Sequence, residues 1–145
     1  MKKLSTVGII EYTEITLNGA KQFLCIVSPY LNIKNDYLTL IKAKAKKGIK
    51  VVIICGKTAL SESELKKLQQ IKNLELRFLY TLHAKVLMNE SWAITGSMNL
   101  YEASEINHEI GWLISQKYNQ KQFNDLSKEV YDYMRKSQLY RADIY

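Results

Sequence analysis

The first half of the chain alternates between two kinds of apolar pattern. Residues Ile9 to Gln22 carry apolar side chains at helical spacing, and the unbroken apolar run from Phe23 to Ser28 then predicts a buried strand. Asp36 is placed to cap a second helix that Gly48 ends, and the next apolar run, Lys50 to Cys55, predicts a second strand. Strands and helices alternate in this way where crossover helices join parallel strands.

The alternation continues through one more helix and strand and then changes. Ser61 begins a capping-box-like helix start, and Leu74 to Leu79 predicts a third strand. From Ala84 onward, short apolar runs follow one another as in hairpins, before a long closing helix around Phe123. We therefore expect one α/β domain over residues 1–145, with a mixed, largely parallel sheet flanked by helices on both faces.

Composition limits the class of protein. No linker, repeat or low-complexity segment divides the 145 residues. Residues Leu4 to Ala20 include Glu11 and Glu14, where an export signal needs an unbroken apolar core. No apolar run approaches the roughly 20 residues of a membrane-spanning helix. We expect a cytoplasmic protein without stable membrane association.

The cysteines and the net charge point to different features. Cys25 and Cys55 each lie within an apolar run and belong to no metal-type or redox-type pair, so we expect buried free thiols. The formal net charge of +7 favours a polyanionic partner, either nucleic acid or anionic lipid, because a positive field concentrates such ligands.

Reactive polar side chains recur where the later strands are predicted to begin or end. They are His83, Lys85, Ser97, Asn99 and Glu109. His83 and Lys85 are two residues apart, as are Ser97 and Asn99, and residues i and i+2 of a strand share a face. Taken singly, each residue is more often a solvated or turn residue. Their joint spacing instead predicts one site that combines an imidazole, an ammonium, a hydroxyl and an amide.

The spacing of these residues resembles the signature of the phospholipase D-like superfamily. His83-Ala84-Lys85 is followed after four residues by Glu90, and after five more by Gly96-Ser97-Met98-Asn99, with Glu109 downstream. The family usually has aspartate at the position of Glu90, which we take with Gly96 as a supporting residue. The run from Phe23 to Leu31 also resembles the family's early strand. The resemblance covers most of the chain and implies a phospholipase D-like half-domain.

The resemblance implies a phosphodiesterase that works through a covalent phosphohistidine. His83 would be the nucleophile. Lys85 and Asn99 would hold the phosphate oxygens, and Ser97 would assist by hydrogen bonding. Glu109 would accept a hydrogen bond from His83 and so fix its tautomer. None of these roles requires a metal or another cofactor.

The family's mechanism also needs a second histidine, which protonates the leaving oxygen. Short members obtain it by pairing two chains, and this chain carries one such motif, so the resemblance implies a homodimer with two copies of His83. His108 is the other histidine of the chain. In a strand predicted from His108 to Ile114 it would face away from Glu109 among apolar residues, and we assign it a structural role.

Nucleic acid is the expected substrate. Two subunits carry a formal charge of twice +7, or +14, and so short a chain leaves little room for lipid-binding insertions. We predict an endonuclease acting on DNA or RNA. Two alternatives stay open, namely a phospholipase D or phosphatidyltransferase, and a nucleic-acid-binding module without catalysis. Weaker candidates for binding the nucleic acid are Lys42, Lys46, Lys47 and Tyr30.

Overall fold

The computed structural model describes residues 1–100 and 107–141, which form one sheet of eight strands with four helices. In chain order the elements are β1 (Lys2–Ser5), α1 (Thr6–Gly19), β2 (Phe23–Val27), α2 (Asn35–Lys46), β3 (Lys50–Cys55), α3 (Glu62–Gln69), β4 (Leu74–Phe78), β5 (Val86–Asn89), β6 (Trp92–Gly96), β7 (Ile110–Ser115), α4 (Gln120–Lys136) and β8 (Gln138–Leu139).

The strands lie in the order β1-β7-β6-β5-β2-β3-β4-β8. Strands β2, β3 and β4 pair in parallel, and every other neighbouring pair is antiparallel. The mixed α/β sheet is confirmed, but the expectation that it is largely parallel holds only for these three strands. The alternation of helix and strand that favours parallel pairing ends at β4. The short edge strands β1 and β8 were not predicted.

Helices cover both faces of the sheet, as expected. Helices α1, α2 and α3 pack on one face, where Leu17, Ile41 and Leu68 are buried in the same cluster as Ile26 and Ile53 of the strands. Helix α4 packs on the other face, because alternate strand residues point to opposite sides. Its buried side chains share a cluster with those alternate residues, and the members of that cluster include Phe123, Val130, Val27, Ile54 and Met88.

The predicted helix ends are largely reproduced. Ser61 caps α3, since its Oγ accepts a hydrogen bond from the Glu64 amide at 3.2 Å. Gly48 follows α2 with a φ of +84°, the left-handed conformation that ends helices. Asp36 lies in the first turn of α2 rather than at its cap, a position where a carboxylate also favours the helix dipole. In the described part of the chain, no helix is long and apolar enough to cross a bilayer.

The two cysteines are buried free thiols, as predicted. Cys25 lies on the α4 face of the sheet and Cys55 on the face covered by the other three helices. Burial raises the pKa of each thiol to about 12. Both side chains therefore act as small core residues, because only the thiolate is reactive.

The turn between β5 and β6 is tied to the rest of the fold by Asn89, which is fully buried. Its Nδ2 donates to the Thr16 carbonyl of α1 at 2.9 Å. Its Oδ1 accepts from the amides of Ser91 and Trp92 at 2.8 and 2.9 Å. One side chain thus closes the turn and attaches it to α1.

Glu90 extends this attachment to the start of β2. Its carboxylate accepts hydrogen bonds from the backbone amides of Lys21 and Gln22, at 2.7 and 2.5 Å. Because β5 runs from Val86 to Asn89, Glu90 lies roughly 13 Å along the strand direction from Val86, and His83 lies before that start of the strand. The structure therefore gives Glu90 a tethering position at the end of the sheet opposite to that histidine.

Replacing Glu90 with alanine should lower the free energy of unfolding by about 2 kcal/mol, because two backbone amides lose a charged acceptor. Urea denaturation measures the change. Glu14→Ala, at an exposed position of α1, is the control and should change stability by less than about 0.5 kcal/mol. Equal losses in both variants would contradict the tethering role.

Candidate active site

The segment with His83 and Lys85 lies immediately before β5, which begins at Val86. Both residues lie where a strand begins, as predicted, but they precede its first paired residue, so the face shared by residues i and i+2 of a strand does not by itself fix their directions. Strands β2 and β5 are paired with Val27 opposite Val86, so the next pair in register sets Lys85 opposite Ser28. His83 is exposed and Lys85 is half-buried.

The loop after β6 carries Asn99 and is fastened to the end of β2 by Ser28, which is 1% exposed. The Ser28 hydroxyl donates to the Tyr30 carbonyl at 2.7 Å and accepts from the Leu100 amide at 2.9 Å. The Asn99 Oδ1 lies 3.5 Å from the Tyr30 amide, which donates to it. With its oxygen held there, the amide group of Asn99 keeps its NH₂ as a donor.

Ser97 and Glu109 form a pair across β6 and β7. The Ser97 hydroxyl donates to the Glu109 carboxylate in a short hydrogen bond and accepts from the Ile110 amide at 3.0 Å. Thr6, at the start of α1, accepts from the Glu109 amide at 2.8 Å. The expected hydrogen bond between His83 and Glu109 is not among those of the described residues; Ser97 is the partner of this carboxylate.

Gly96 supports this pair by letting β6 and β7 approach closely. A Cβ at this position would lie 2.3 Å from the Ile110 carbonyl oxygen and 2.6 Å from the Gly111 Cα. Both atoms belong to the backbone, so a side chain here would push the two strands apart. The structure therefore gives a steric reason for glycine at this position, and its supporting role in the site stays a prediction.

Two cavities meet at Lys85. An open cleft of about 570 Å³ is lined by His83, Lys85 and Ser97, together with the apolar side chains of Ile110 and Trp112. An inner cavity of about 40 Å³ lies behind it, and its lining includes Lys85 and Asn99. Lys85, Thr95 and Gly96 line both cavities, so the structure brings the predicted histidine, lysine, serine and asparagine to one end of the sheet.

The environment of Lys85 favours binding of an anion. Burial lowers the pKa of its ammonium, Glu109 opposes this shift, and the charge of Lys57 adds to it. A cation that is partly removed from water attracts an anion more strongly than a solvated one. Lys57, in the loop after β3, is a neighbour that the sequence pattern did not reveal.

The residues predicted to bind nucleic acid are divided between the two ends of the sheet. Tyr30 lies at the site, with its side chain 46% exposed. Helix α2 begins beyond the carboxyl end of β2 and ends before β3 starts, so Lys46 and Lys47 lie at the far end, about 16 Å along the helix. Lys42 lies between these ends, and all three lysines are exposed.

His108 is exposed and precedes β7, which begins at Ile110. The prediction that it belongs to a strand and faces apolar neighbours is therefore wrong. Within residues 1–100 and 107–141, no group of three His, Cys, Asp or Glu side chains is placed to hold a metal ion.

Comparison with known protein families identifies the class of this fold. A family described as "Cardiolipin synthase, PLD-like domain" matches residues 14–134. The chain belongs to this phospholipase D-like domain family. No curated protein matches the sequence significantly.

Solved structures give the same fold at low sequence identity. Nuc from Salmonella typhimurium, a phospholipase D family member, is 18% identical with a TM-score of 0.78, over 97% of this chain and 98% of that one. NucT from Helicobacter pylori is 16% identical with a TM-score of 0.80, over 96% and 99%. TrmBL2, an archaeal chromatin protein with a novel mode of DNA binding, is 16% identical with a TM-score of 0.70, over 97% of this chain and 54% of that one.

Replacing Lys85 with methionine should raise the melting temperature at pH 7, because the charged form is disfavoured by burial in the fold. The folded-state pKa of Lys85 is lowered, so its penalty is fully present below that pKa. The gain should fade as pH rises toward about 10.4, where the unfolded chain also loses the charge.

Thermal melts of Lys85→Met across this pH range test the assignment, with the exposed Lys72→Met as a control. A lower melting temperature for Lys85→Met than for wild type at pH 7 would show that the buried ammonium stabilises the fold.

Proposed function

We propose that this protein is a metal-independent phosphodiesterase that cleaves DNA or RNA through a covalent phosphohistidine at His83. The observation that carries the proposal is the cleft in which exposed His83 lies with half-buried Lys85. Donors and a partly desolvated cation around an accessible nucleophile suit a reaction in which negative charge builds on phosphate oxygens.

The proposed reaction has two steps. A ring nitrogen of His83 attacks phosphorus, the bond from phosphorus to the leaving oxygen breaks, and a second imidazole gives a proton to that oxygen. The second imidazole then takes a proton from water, whose oxygen attacks phosphorus and breaks the phosphorus–nitrogen bond. The two imidazoles must start in opposite protonation states, so the rate should be bell-shaped in pH.

The other site residues have separate roles in this scheme. Lys85 and the NH₂ of Asn99 bind the phosphate oxygens in this scheme. Lys85 lines the cleft beside His83, and Asn99 lines the adjoining inner cavity that Lys85 also borders. The hydroxyl of Ser97 donates its hydrogen bond to Glu109, and this pair holds the end of β6 against the start of β7. The pair also places the Glu109 carboxylate near Lys85. The Glu109 carboxylate keeps acceptor positions beyond the one that Ser97 occupies, so it can also accept a hydrogen bond from His83 once the two side chains come within reach.

Charge favours nucleic acid as the substrate. The chain carries a net charge of +7, and Tyr30 offers an exposed ring beside the site on which a base can stack. The similarity of the fold to a DNA-binding chromatin protein agrees with such a partner. Transfer of lipid phosphodiesters is the second candidate, because the matching family is described by a cardiolipin synthase.

A homodimer would supply the second imidazole. Ile110 and Trp112 line the cleft beside His83 and are 46% and 40% exposed. Ile114, on the same face of β7, is buried with α4, so the helix leaves the site end of this face uncovered. We propose that a second copy of the chain covers it and brings the two His83 side chains to one phosphate.

The nuclease proposal predicts that the protein cleaves labelled DNA or RNA in excess chelator and that His83→Ala abolishes cleavage, by a factor of about 10⁴ or more. His108→Ala is the matched control, since it removes an exposed histidine outside the cleft, and it should keep most activity. Vesicles of anionic phospholipid form the second arm. Cleavage by His83→Ala at the wild-type rate would refute the mechanism, and turnover of lipid alone would promote the second candidate.

The dimer proposal predicts that Trp112→Glu shifts the protein from dimer to monomer in sedimentation velocity and removes cleavage with it. Tyr118→Glu, an equally apolar-to-acidic change at a residue 75% exposed beyond the cleft, should leave the dimer intact. In mixtures of wild-type and His83→Ala subunits, activity should fall with the square of the wild-type fraction. A linear fall would mean that one chain carries a complete site.

A further inference from the structure

The segment that carries His83 crosses the ends of two strands. Strands β4 and β5 both have their site-side ends at the same edge of the sheet, but β2 and β3 lie between them. The chain from Leu79 to Lys85 therefore passes over the carboxyl ends of β3 and β2. The loop that follows β3 lies directly beneath this crossing.

Gly56 is the point of contact between that loop and the crossing segment. A Cβ here would lie 2.3 Å from the Leu79 carbonyl oxygen and 2.9 Å from the Leu82 Cβ. The Gly56 amide donates to the Pro29 carbonyl at 3.2 Å, and Leu79 donates to the Cys55 carbonyl at 2.9 Å. The loop is thus fixed between the segments that present Tyr30 and His83.

Lys57, the next residue, is held in an unusual conformation at this fixed point. Its φ is +64°, in the left-handed region that costs an ordinary side chain about 1 kcal/mol and suits glycine or asparagine better. Among the described residues other than glycine, Asn73 also has a positive φ. The strained backbone at Lys57 marks this position as a candidate for a functional side chain.

The charge of Lys57 has no carboxylate to balance it among the described residues. None of the ion pairs formed there includes Lys57 or Lys85. The two ammonium groups lie near enough for Lys57 to lower the pKa of Lys85. The charge of Lys57 lowers the pKa of Lys85, and Glu109 is the carboxylate that opposes this shift. An anion bound near the two lysines would reduce the repulsion between their charges.

Lys57 does not line the cleft that contains His83, Lys85 and Ser97. It follows Gly56 in the loop after β3, on the β3 side of the crossing. A group that binds there belongs to a part of the substrate outside the reacting phosphodiester. In a nucleic acid the group next along the strand is another phosphate.

We propose that Lys57 binds the phosphate adjacent to the scissile one, and so makes the site select a chain of phosphodiesters over an isolated one. The inference rests on the proposed function and names its substrate class more closely. Lys57 is a substrate-positioning residue in this proposal, and it takes no part in bond making or bond breaking.

The test compares a substrate with neighbouring phosphates and a substrate with one. Lys57→Asn removes the charge with a residue that tolerates the left-handed backbone. It should raise KM about five- to tenfold for a single-stranded oligonucleotide, as expected for the loss of one ordinary hydrogen bond. It should leave kcat/KM for bis-para-nitrophenyl phosphate within about twofold, and Lys57→Arg should restore the oligonucleotide KM. Lys72→Asn, an exposed lysine at the far end of the sheet, should resemble wild type.

Binding measurements separate this inference from the reaction itself. In the His83→Ala background, Lys57→Asn should reduce the slope of log affinity against log salt for a single strand by about 0.7, the share of one phosphate contact. Equal losses on both substrates, or no loss on the oligonucleotide, would overturn the role of Lys57. If the wild-type protein cleaved no nucleic acid, the proposed function would be refuted instead. The slope of log affinity against log salt would still show whether Lys57 binds a phosphate.

Discussion

The antiparallel pairing of β2 with β5 is the contact on which the rest of the site depends. Strand β2 pairs in parallel with β3 on one side and antiparallel with β5 on the other, so it joins the two kinds of sheet. Asn89 and Glu90 attach one end of this seam to α1 and to the start of β2. Ser28 attaches the other end to the loop of Asn99. A slip of one residue would turn Lys85 to the opposite face.

This arrangement also explains the electrostatics of the site. Because β5 starts and β2 ends at one edge, the chain from β4 must cross that edge. The crossing brings an exposed imidazole and a half-buried ammonium into the lining of one cleft. The carboxylate of Glu109 arrives from β7, three strands from β2 in the sheet order. Among the described residues, the charges that act on one another at this end of the sheet are those of Lys85, Lys57 and Glu109, two positive and one negative. Such a site suits an anion brought from solution, because among the described residues only Glu109 opposes the effect of Lys57 on Lys85.

Local patterns predicted much of this structure. The run Lys50–Cys55 marks β3 with its observed bounds, since a strand buried on both faces is an unbroken apolar run. The spacing of His83, Lys85, Ser97 and Asn99 predicted their convergence. Contacts between distant segments were not readable: the pairing of Glu109 with Ser97 depends on the register of β6 and β7, and Thr6 and Lys57 come from other parts of the chain. Edge strands of four and two residues are too short to carry a pattern.

The burial of both native thiols makes the protein convenient for single-site chemistry. Cys25 and Cys55 lie on opposite faces of the sheet, each inside a packed cluster, and neither can present a thiolate to solvent. A cysteine introduced at an exposed position such as Tyr80 would be the one group in the described chain that a maleimide dye modifies quickly. A fluorophore placed there could follow the arrival of a ligand at the cleft in real time, with both native cysteines left in place.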